Sequence, residues 1–410
     1  MRTLILFISS VLILSSSLSA QLGWFNQRQE GETILYSIDM YDRDHVTAVG
    51  SDGVILQSND AGVNWQSKPS GATDNLRRIR WYSPTLGVIL GNAGLALKSV
   101  DGGASWQPMN TGSTKVLLDI HFFDTNNWMV IGQAEQVLTT SDAGASWEDQ
   151  GSGTNNLNEI AFIGNIGIIV GNKGTIHTTT NGGQRWRDRS GITGLELTSV
   201  SISDDSIAVA VGSNGTIIRS DDKGDSWTRI SASVPISSFR LTGVRHLTKE
   251  NLVLCGNGGL ILWSTDTGLS WYSQESNTQE NLEALEFIDS KVGVAAGWNG
   301  TIIRTNSGGT LAVKRLAGAA PERVGIGESW PNPLSRNSQA NVNIALPRGG
   351  DVQLRVYDLL GRERKSVVSS SMDAGTFTIS WDSSSLQKGV YLYHLEQHGS
   401  VQVRKFTIVD

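Results

Sequence analysis

One eight-residue pattern recurs along the chain: a hydroxyl residue, any residue, an acid or its amide, any residue, Gly, two more residues and Trp. It reads "SNDAGVNW" at 58–65, "SVDGGASW" at 99–106, "TSDAGASW" at 140–147, "TTNGGQRW" at 179–186, "SDDKGDSW" at 220–227 and "STDTGLSW" at 264–271. The tryptophans Trp65, Trp106, Trp147, Trp186, Trp227 and Trp271 are spaced by 41, 41, 39, 41 and 44 residues. A fixed period in this range is the mark of a repeat architecture, in which each unit buries its apolar face only by stacking on its neighbours.

Two further signals keep the same period. The first is Gly-x-x-Gly followed by alternating apolar residues, as in "GSDGVILQS" at 50, "GNAGLALKS" at 91, "GNKGTIHTT" at 171, "GSNGTIIRS" at 212, "GNGGLILWS" at 256 and "GWNGTIIRT" at 297. The third repeat has "GQAEQVLTT" at 132, with Glu135 in place of the second Gly. The other signal is Leu-x-x-Ile-x-aromatic, seen in Leu76/Ile79/Trp81, Leu117/Ile120/Phe122, Leu157/Ile160/Phe162 and Leu282/Leu285/Phe287, with looser copies at Leu35, Leu197 and Leu241. Short alternating segments broken by Gly and Asp read as strands. The second repeat gives four of them, near 76–81, 86–90, 94–99 and 106–109. Four strands per repeat is the content of a propeller blade, and seven Leu-x-x-Ile-like starts imply seven blades.

The seventh repeat ends without its Trp: Ser307 stands at the acid position and Ala312 at the Trp position. Trp24 lies 41 residues before Trp65. The N-terminal strand near Trp24 is therefore expected to complete the blade built from 282–306 and close the ring, which removes an exposed sheet edge.

Asp60, Asp101, Asp142, Asn181, Asp222 and Asp266 occupy the acid position. An Asp or Asn side chain accepts hydrogen bonds from amides a few residues on and fixes a tight turn, and Trp covers the hairpin. Asn181 can hold the same turn but cannot serve as a charged base. Each copy has too few carboxylates for calcium, which takes six to eight oxygens. The pattern resembles the Asp-box, or bacterial neuraminidase repeat, over six full copies and a degenerate seventh. Sialidases share it, and the resemblance keeps a sialidase-like or other glycoside hydrolase in view as the alternative function. No Arg-Ile-Pro motif, nucleophile motif or metal-ligand spacing is present. The chain resembles more closely the photosystem II assembly and stability factors. That resemblance implies a single seven-bladed ring acting as a non-catalytic scaffold, with a basic patch on one face.

The variable inner-strand positions would line the ring mouth. They include Arg77, Arg78, Arg80 and Arg245, but also Asp39, Asp119, Glu159, Glu283 and Glu286, so the lining has mixed sign. Trp298 and Trp263 are aromatics outside the repeat, and Trp298 falls in a blade turn. The candidate binding set is Arg77, Arg78, Arg80, Arg245 and Trp298. No cofactor or metal is expected. A net charge of -6 gives no electrostatic case for nucleic acid.

The ends of the chain carry addresses. Arg2, the apolar run Leu4–Leu14 and Leu18-Ser19-Ala20 read as a signal peptide over 1–20. The run is too short to span a bilayer, and no later stretch is long enough. The single cysteine, Cys255, lies in "LVLCG" and reads as a buried, inert thiol. The propeller is assigned to 21–311, a linker to 312–327 and a small β-sandwich to 328–410, where "NVNIALP", "DVQLRVYD", "GTFTISWD", "GVYLYHLE" and "VQVRKFTIV" alternate with period two. Pro331-Asn332-Pro333, "VYDLLGRE" with Gly361, Gly389-Val390-Tyr391 and the ending "KFTIVD" resemble the type A sorting domain of type IX secretion. This implies recognition by that machinery and delivery to the outer-membrane surface or the medium. The sequence thus predicts an all-β chain, a seven-bladed propeller followed by a β-sandwich, that binds a protein or glycan.

Overall fold

The computed structural model describes residues 23–409 apart from 29–30, 152, 204–206, 233–234, 307, 309–310, 317–320, 336–338, 373 and 384–385. The signal segment assigned to 1–20 lies outside the described residues. Seven four-stranded antiparallel sheets follow one another as blades. Blades 1 to 7 begin with the inner strands Leu35–Met40, Leu76–Trp81, Leu117–Phe122, Leu157–Ile163, Leu197–Ile202, Leu241–His246 and Leu282–Phe287. In blade 2 the strands are Leu76–Trp81, Gly87–Gly91, Ala96–Ser99 and Gln107–Met109, within two residues of the sequence assignment.

The Leu-x-x-Ile signal has an odd spacing for a strand, where residues on one face recur every second position. Each inner strand resolves it with a bulge: the register slips directly after the Leu in all seven blades. One extra residue brings Leu76 and Ile79 onto the same buried face, and both are fully buried. The bulge also explains the first Gly of Gly-x-x-Gly. That residue pairs with the Leu, and a Cβ on it would stand 1.9–2.6 Å from the carbonyl just before the Leu. With no Cβ there, the next amide reaches that carbonyl, as in Asn92 N–H to Asn75 O at 3.0 Å. The two sequence signals are thus halves of one contact.

Blade 3 departs at the second Gly. Ala134 and Glu135 both adopt left-handed backbone, with φ of 52° and 49°. The space a side chain needs there comes from the facing strand connection, where Gly151 and Gly153 lie directly against Glu135.

Blade 7 is completed from the other end of the chain. Trp24–Arg28 pairs antiparallel with Ile302–Thr305, so the sheet order is the N-terminal strand, then 302–305, 293–297 and 282–287. Trp24 is 1% exposed and packs with Val253, Cys255, Trp263, Leu285 and Ile303. Its Nε1 donates to Gln274 Oε1 of blade 6 at 2.9 Å, and its carbonyl accepts from Asn277 Nδ2. Cys255 is buried there, and burial pushes its thiol up to about 12.

The C-terminal unit is a sandwich of a four-stranded and a five-stranded sheet around Trp381, Tyr393 and Phe406. The stretch 312–327, read from sequence as linker, is strand at both ends. Leu311–Leu316 and Gly325–Trp330 form the two edges of the four-stranded sheet. Edge strands are held by their backbone ladder and need no apolar run, so "AVKRL" beside "AGAAP" carried little signal.

Truncation of Trp24 removes a fully buried indole from the strand that closes the ring. Trp24→Ala should lower the unfolding free energy by about 3–5 kcal/mol, read by chemical denaturation of the propeller; an unchanged midpoint would show that closure does not depend on this strand.

Candidate functional site: the ring channel and its mouth

The bulge sorts the inner strands into levels. The bulged positions, Tyr36, Arg77, Leu118, Asn158, Thr198, Thr242 and Glu283, lie at the end of the channel next to the Gly-x-x-Gly turns. The next level carries Ser37, Arg78, Asp119, Glu159, Ser199, Gly243 and Ala284. A third carries Asp39, Arg80, His121, Ala161, Ser201, Arg245 and Glu286, towards the face of the Asp-box turns.

The inner strands of successive blades do not form one sheet, so their facing amides need other partners. The channel side chains supply them. Ser37 Oγ accepts from Ile79 N–H (3.2 Å), Asp39 Oδ2 from Trp81 N–H (2.6 Å), and Asp119 Oδ2 from Ile160 N–H (3.1 Å). Glu159 Oε2 accepts from Val200 N–H (2.9 Å), Ser199 Oγ from Val244 N–H (3.0 Å) and Ser201 Oγ from His246 N–H (3.0 Å). On the neighbouring level Asn158, Thr198 and Thr242 donate to the carbonyls of Leu197, Leu241 and Leu282 at 2.6–2.7 Å.

The channel charges neutralise one another. Arg78 Nε lies 3.0 Å from Asp119, Arg80 Nη1 2.6 Å from Glu286, and Arg245 contacts Glu159 (2.9 Å) and Glu286 (3.0 Å). These three arginines meet the four carboxylates Asp39, Asp119, Glu159 and Glu286. Burial pushes Glu159 up, but Arg245, Arg78 and Arg80 outweigh it and hold the carboxyl down at about 2. Glu286 is likewise held below its ordinary value by Arg245 and Arg80 against its burial. Asp39 goes the other way. Burial and the nearby Glu286 raise it to about 7, against the opposing pull of Arg80.

Above this floor, on the Asp-box face, opens a cavity of about 390 Å3. Arg80, Arg245 and Glu159 reach its floor, and its walls are His121, Phe122, Phe162 and Tyr82. His121 stacks on Phe162 at 4.4 Å, Tyr82 lies 5.6 Å from Phe122, and Tyr82 is 42% exposed. Burial and Arg80 push His121 down to about 4, so it is neutral at physiological pH.

The five residues singled out as a binding set occupy two places. Arg78, Arg80 and Arg245 share the channel network. Arg77 and Trp298 lie at the opposite end, beside the Gly-x-x-Gly turns. There Arg77 stacks over Tyr36 at 4.3 Å and donates to Asn92, while Trp298 is 41% exposed and donates to Glu283 Oε1 at 2.8 Å. Trp263 is buried between blades. The aromatic wall was missed because the sequence reading followed charge. His121 sits in the same register as Arg80 and Arg245, and Tyr82 two positions beyond that level.

The box residues are engaged in their turns. Asp101 Oδ1 accepts from Ser99 Oγ (2.8 Å) and from Ser105 N–H (2.9 Å), while Ser99 Oγ accepts from Gly103 N–H (2.8 Å). The Ser105 hydroxyl, which donates to Asp101 Oδ2 at 2.6 Å, together with the Ser105 amide and the Ser99 hydroxyl, holds Asp101 down at about 2. Asp60, Asp142, Asp222 and Asp266 repeat the arrangement. Asn181 Oδ1 makes the same two contacts, with Thr179 Oγ1 at 2.8 Å and Arg185 N–H at 3.0 Å. Trp65, Trp147, Trp227 and Trp271 each donate to the carbonyl of the box Gly. Trp106 and Trp186 occupy the same place in their blades, packed against Trp81 and Phe162. Among the described residues no group of His, Cys, Asp and Glu could hold a metal ion, and no helix is long and apolar enough to cross a membrane.

In the sandwich, Tyr391 stacks on Phe406 and donates to Gln387 O at 2.8 Å. Gly389 opens the strand that carries it. Gly361 takes a left-handed φ of 74° in a turn held by Asp358. Asn332, between Pro331 and Pro333, accepts from Thr407 N–H.

The Asp39 environment has a testable pH signature. The folded ring keeps a proton on Asp39 up to about pH 7, whereas the unfolded chain releases it near 3.8. This group's contribution is therefore full below the unfolded value and is lost as pH rises through 7. Asp39→Asn keeps an oxygen for the Trp81 amide and cannot ionise. Its melting temperature should rise relative to the parent between pH 5.5 and 8.5, by several degrees at the upper end; a difference that does not change with pH would refute the assignment.

Comparison with known proteins places this geometry. Residues 17–113, 103–190 and 153–236 match the family model of the photosynthesis system II assembly factor YCF48, and residues 328–409 match the secretion system C-terminal sorting domain. No curated protein matches the chain. Among solved structures, it is similar to YCF48 bound to D1 peptide (20% identity, TM-score 0.60, 70% of this chain and 98% of that one). It is also similar to YCF48 from Cyanidioschyzon merolae (15% identity, TM-score 0.59, 69% and 98%). The structure of U3-55K shares the fold at 13% identity and a TM-score of 0.57, over 69% of this chain and 98% of that one. The YCF48 match runs over residues 17–236, more than half of the sequence, and the chain belongs to the YCF48 family of photosynthesis system II assembly factors.

Proposed function

We propose that the chain is an exported, non-catalytic propeller that binds a protein or glycan at the channel mouth on its Asp-box face, and that type IX secretion delivers it to the outer-membrane surface or the medium. The observation that carries this reading is the mutual neutralisation of the channel charges. Arg78, Arg80 and Arg245 already hold carboxylates, so they offer no unopposed charge to a substrate acid. Glu159 is held ionised, and the Asp39 carboxyl, the one raised towards 7, is not part of the cavity lining. A polar floor beneath aromatic walls supports recognition, because it combines fixed donors and acceptors with flat apolar surface. A solved YCF48 is described as bound to a peptide, which supports a protein partner for this ring as well.

The glycoside-hydrolase alternative rests on two channel carboxyls, Asp39 and Glu286, pushed in opposite directions by their surroundings, the pattern expected of an acid and its partner. The mature propeller should retain ligands from a glycan array or a pull-down without turning them over, and Tyr82→Ser at the exposed wall should weaken capture by tenfold or more. Hydrolysis of a glycoside panel, abolished by Asp39→Asn, would establish the alternative instead. Sorting is tested separately. A chain lacking 328–410 should accumulate in the periplasm with its propeller folded; its appearance at the surface would remove the role given to the sandwich.

A further inference from the structure

Five of the seven blade interfaces are bridged or filled by the same position of the repeat, and two are not. The residue just before each box hydroxyl is Gln57, Lys98, Thr139, Thr178, Arg219, Trp263 and Arg304 in blades 1 to 7. Four of these reach across to a backbone carbonyl of the next blade. Gln57 donates to Gly102 O (2.7 Å), Lys98 to Ala143 O (2.9 Å), Arg219 to Thr267 O (2.8 Å) and Arg304 to Arg43 O (2.9 Å). Gly102, Ala143 and Thr267 each follow the box acid of their blade. Trp263 fills its interface by bulk and is 3% exposed.

Thr139 and Thr178 are too short to cross, and both of their interfaces carry a cavity. Between blades 4 and 5 it is about 90 Å3, and Arg185, Arg187 and Lys223 stand around it. Between blades 3 and 4 it is about 310 Å3. Its lining includes Phe123, Met129, Thr139, Glu148, Gln150 and Gln184, and Gly182, the residue whose carbonyl the missing cross-link would meet. Thr139 Oγ1 instead accepts from Gln150 Nε2 at 3.2 Å. Glu148 is exposed and has no ion-pair partner among the described residues. It is the one charged residue of the lining.

We propose that the cleft between blades 3 and 4 is a binding site for a lysine or arginine side chain supplied by a partner protein. The fold itself shows what fits. One interface earlier, the Lys98 ammonium lies 5.9 Å from the centre of the Trp128 ring and ends on Ala143 O. The cleft beyond Thr139 has room for such a stem and a carbonyl at its end, with the Glu148 carboxylate at the rim to complement the cation. Phe123, 38% exposed and 5.0 Å from Phe162, marks the inner end of the cleft. This site is separate from the channel mouth and does not depend on what binds there.

Thr139→Lys supplies the missing cross-link in cis. It should raise the melting temperature and occupy the cleft, leaving the channel mouth unaltered. A display library of random heptapeptides panned on the full chain should yield binders enriched in Lys or Arg at one position. Their affinity should fall tenfold or more on Thr139→Lys, fall similarly on Glu148→Lys, and decline with added salt. Glu148→Lys alters an exposed residue and keeps the test available should Thr139→Lys misfold. No enriched peptides, binders without a basic residue, binders unaffected by both variants, or a cleft that retains glycans rather than peptides would each overturn the proposal.

Discussion

The ring depends on one pairing, that of Trp24–Arg28 with Ile302–Thr305. Six blades are built from contiguous sequence and could in principle stack as an open series. The seventh has only three strands of its own, so the two ends of the propeller sequence must meet before every blade is complete and has two neighbours. The closing strand has five residues, where the outermost strands of the other blades have two or three. Its weight lies in Trp24, which reaches past its own sheet to Gln274 and Asn277 of blade 6. The closing strand is therefore fixed on two sides, by a backbone ladder to blade 7 and by an indole wedged against blade 6.

Closure brings seven inner strands around an axis with their edge amides facing one another, and this accounts for the channel chemistry. A serine, aspartate or glutamate at either of two levels can reach the next blade's amide. Four acids have been placed there, and four carboxylates in a narrow channel repel unless countered. Arg78, Arg80 and Arg245 counter them, which leaves one carboxyl in excess. Asp39 absorbs that excess by keeping its proton towards neutral pH. The arginines are thus a consequence of the acids, and the ring mouth inherits a floor whose charges are paired with one another.

How much of this was legible in the sequence follows from how far each signal is local. The box Trp spacing gave blade number, and the displaced Trp24 gave the closing strand, because both repeat in register. The bulge was written in the Leu-x-x-Ile spacing of three, but strand reading by alternation passes over it. The pairing of the first Gly with the carbonyl before the Leu joins residues 15 or 16 apart, as Asn75 and Gly91, and is visible only in the folded blade. Charges were recognised at the mouth, yet their partners lie 41 to 206 residues away, as Arg245 and Glu286 or Arg80 and Glu286 do, so mixed sign could be read and mutual neutralisation could not. The strand Leu311–Leu316 was lost for a different reason: an edge strand carries little composition of its own.

Departures from the repeat concentrate in blade 3 and at its border with blade 4. Glu135 replaces a glycine and is accommodated by Gly151 and Gly153, the spacing to the next Trp shrinks to 39, and Thr139 replaces a cross-linking side chain. A repeat protein needs each unit to fit its neighbours alike, so a single departure reads as drift. Several departures in one blade and its border, one of them compensated locally and one leaving open space, are harder to assign to drift. Drift that opened a cleft would cost packing, and the same loss would be restored by any of the side chains used at the other interfaces. That Gln, Lys, Arg and Trp all serve elsewhere shows how undemanding the position is, and it places the significance of Thr139 in the space it leaves.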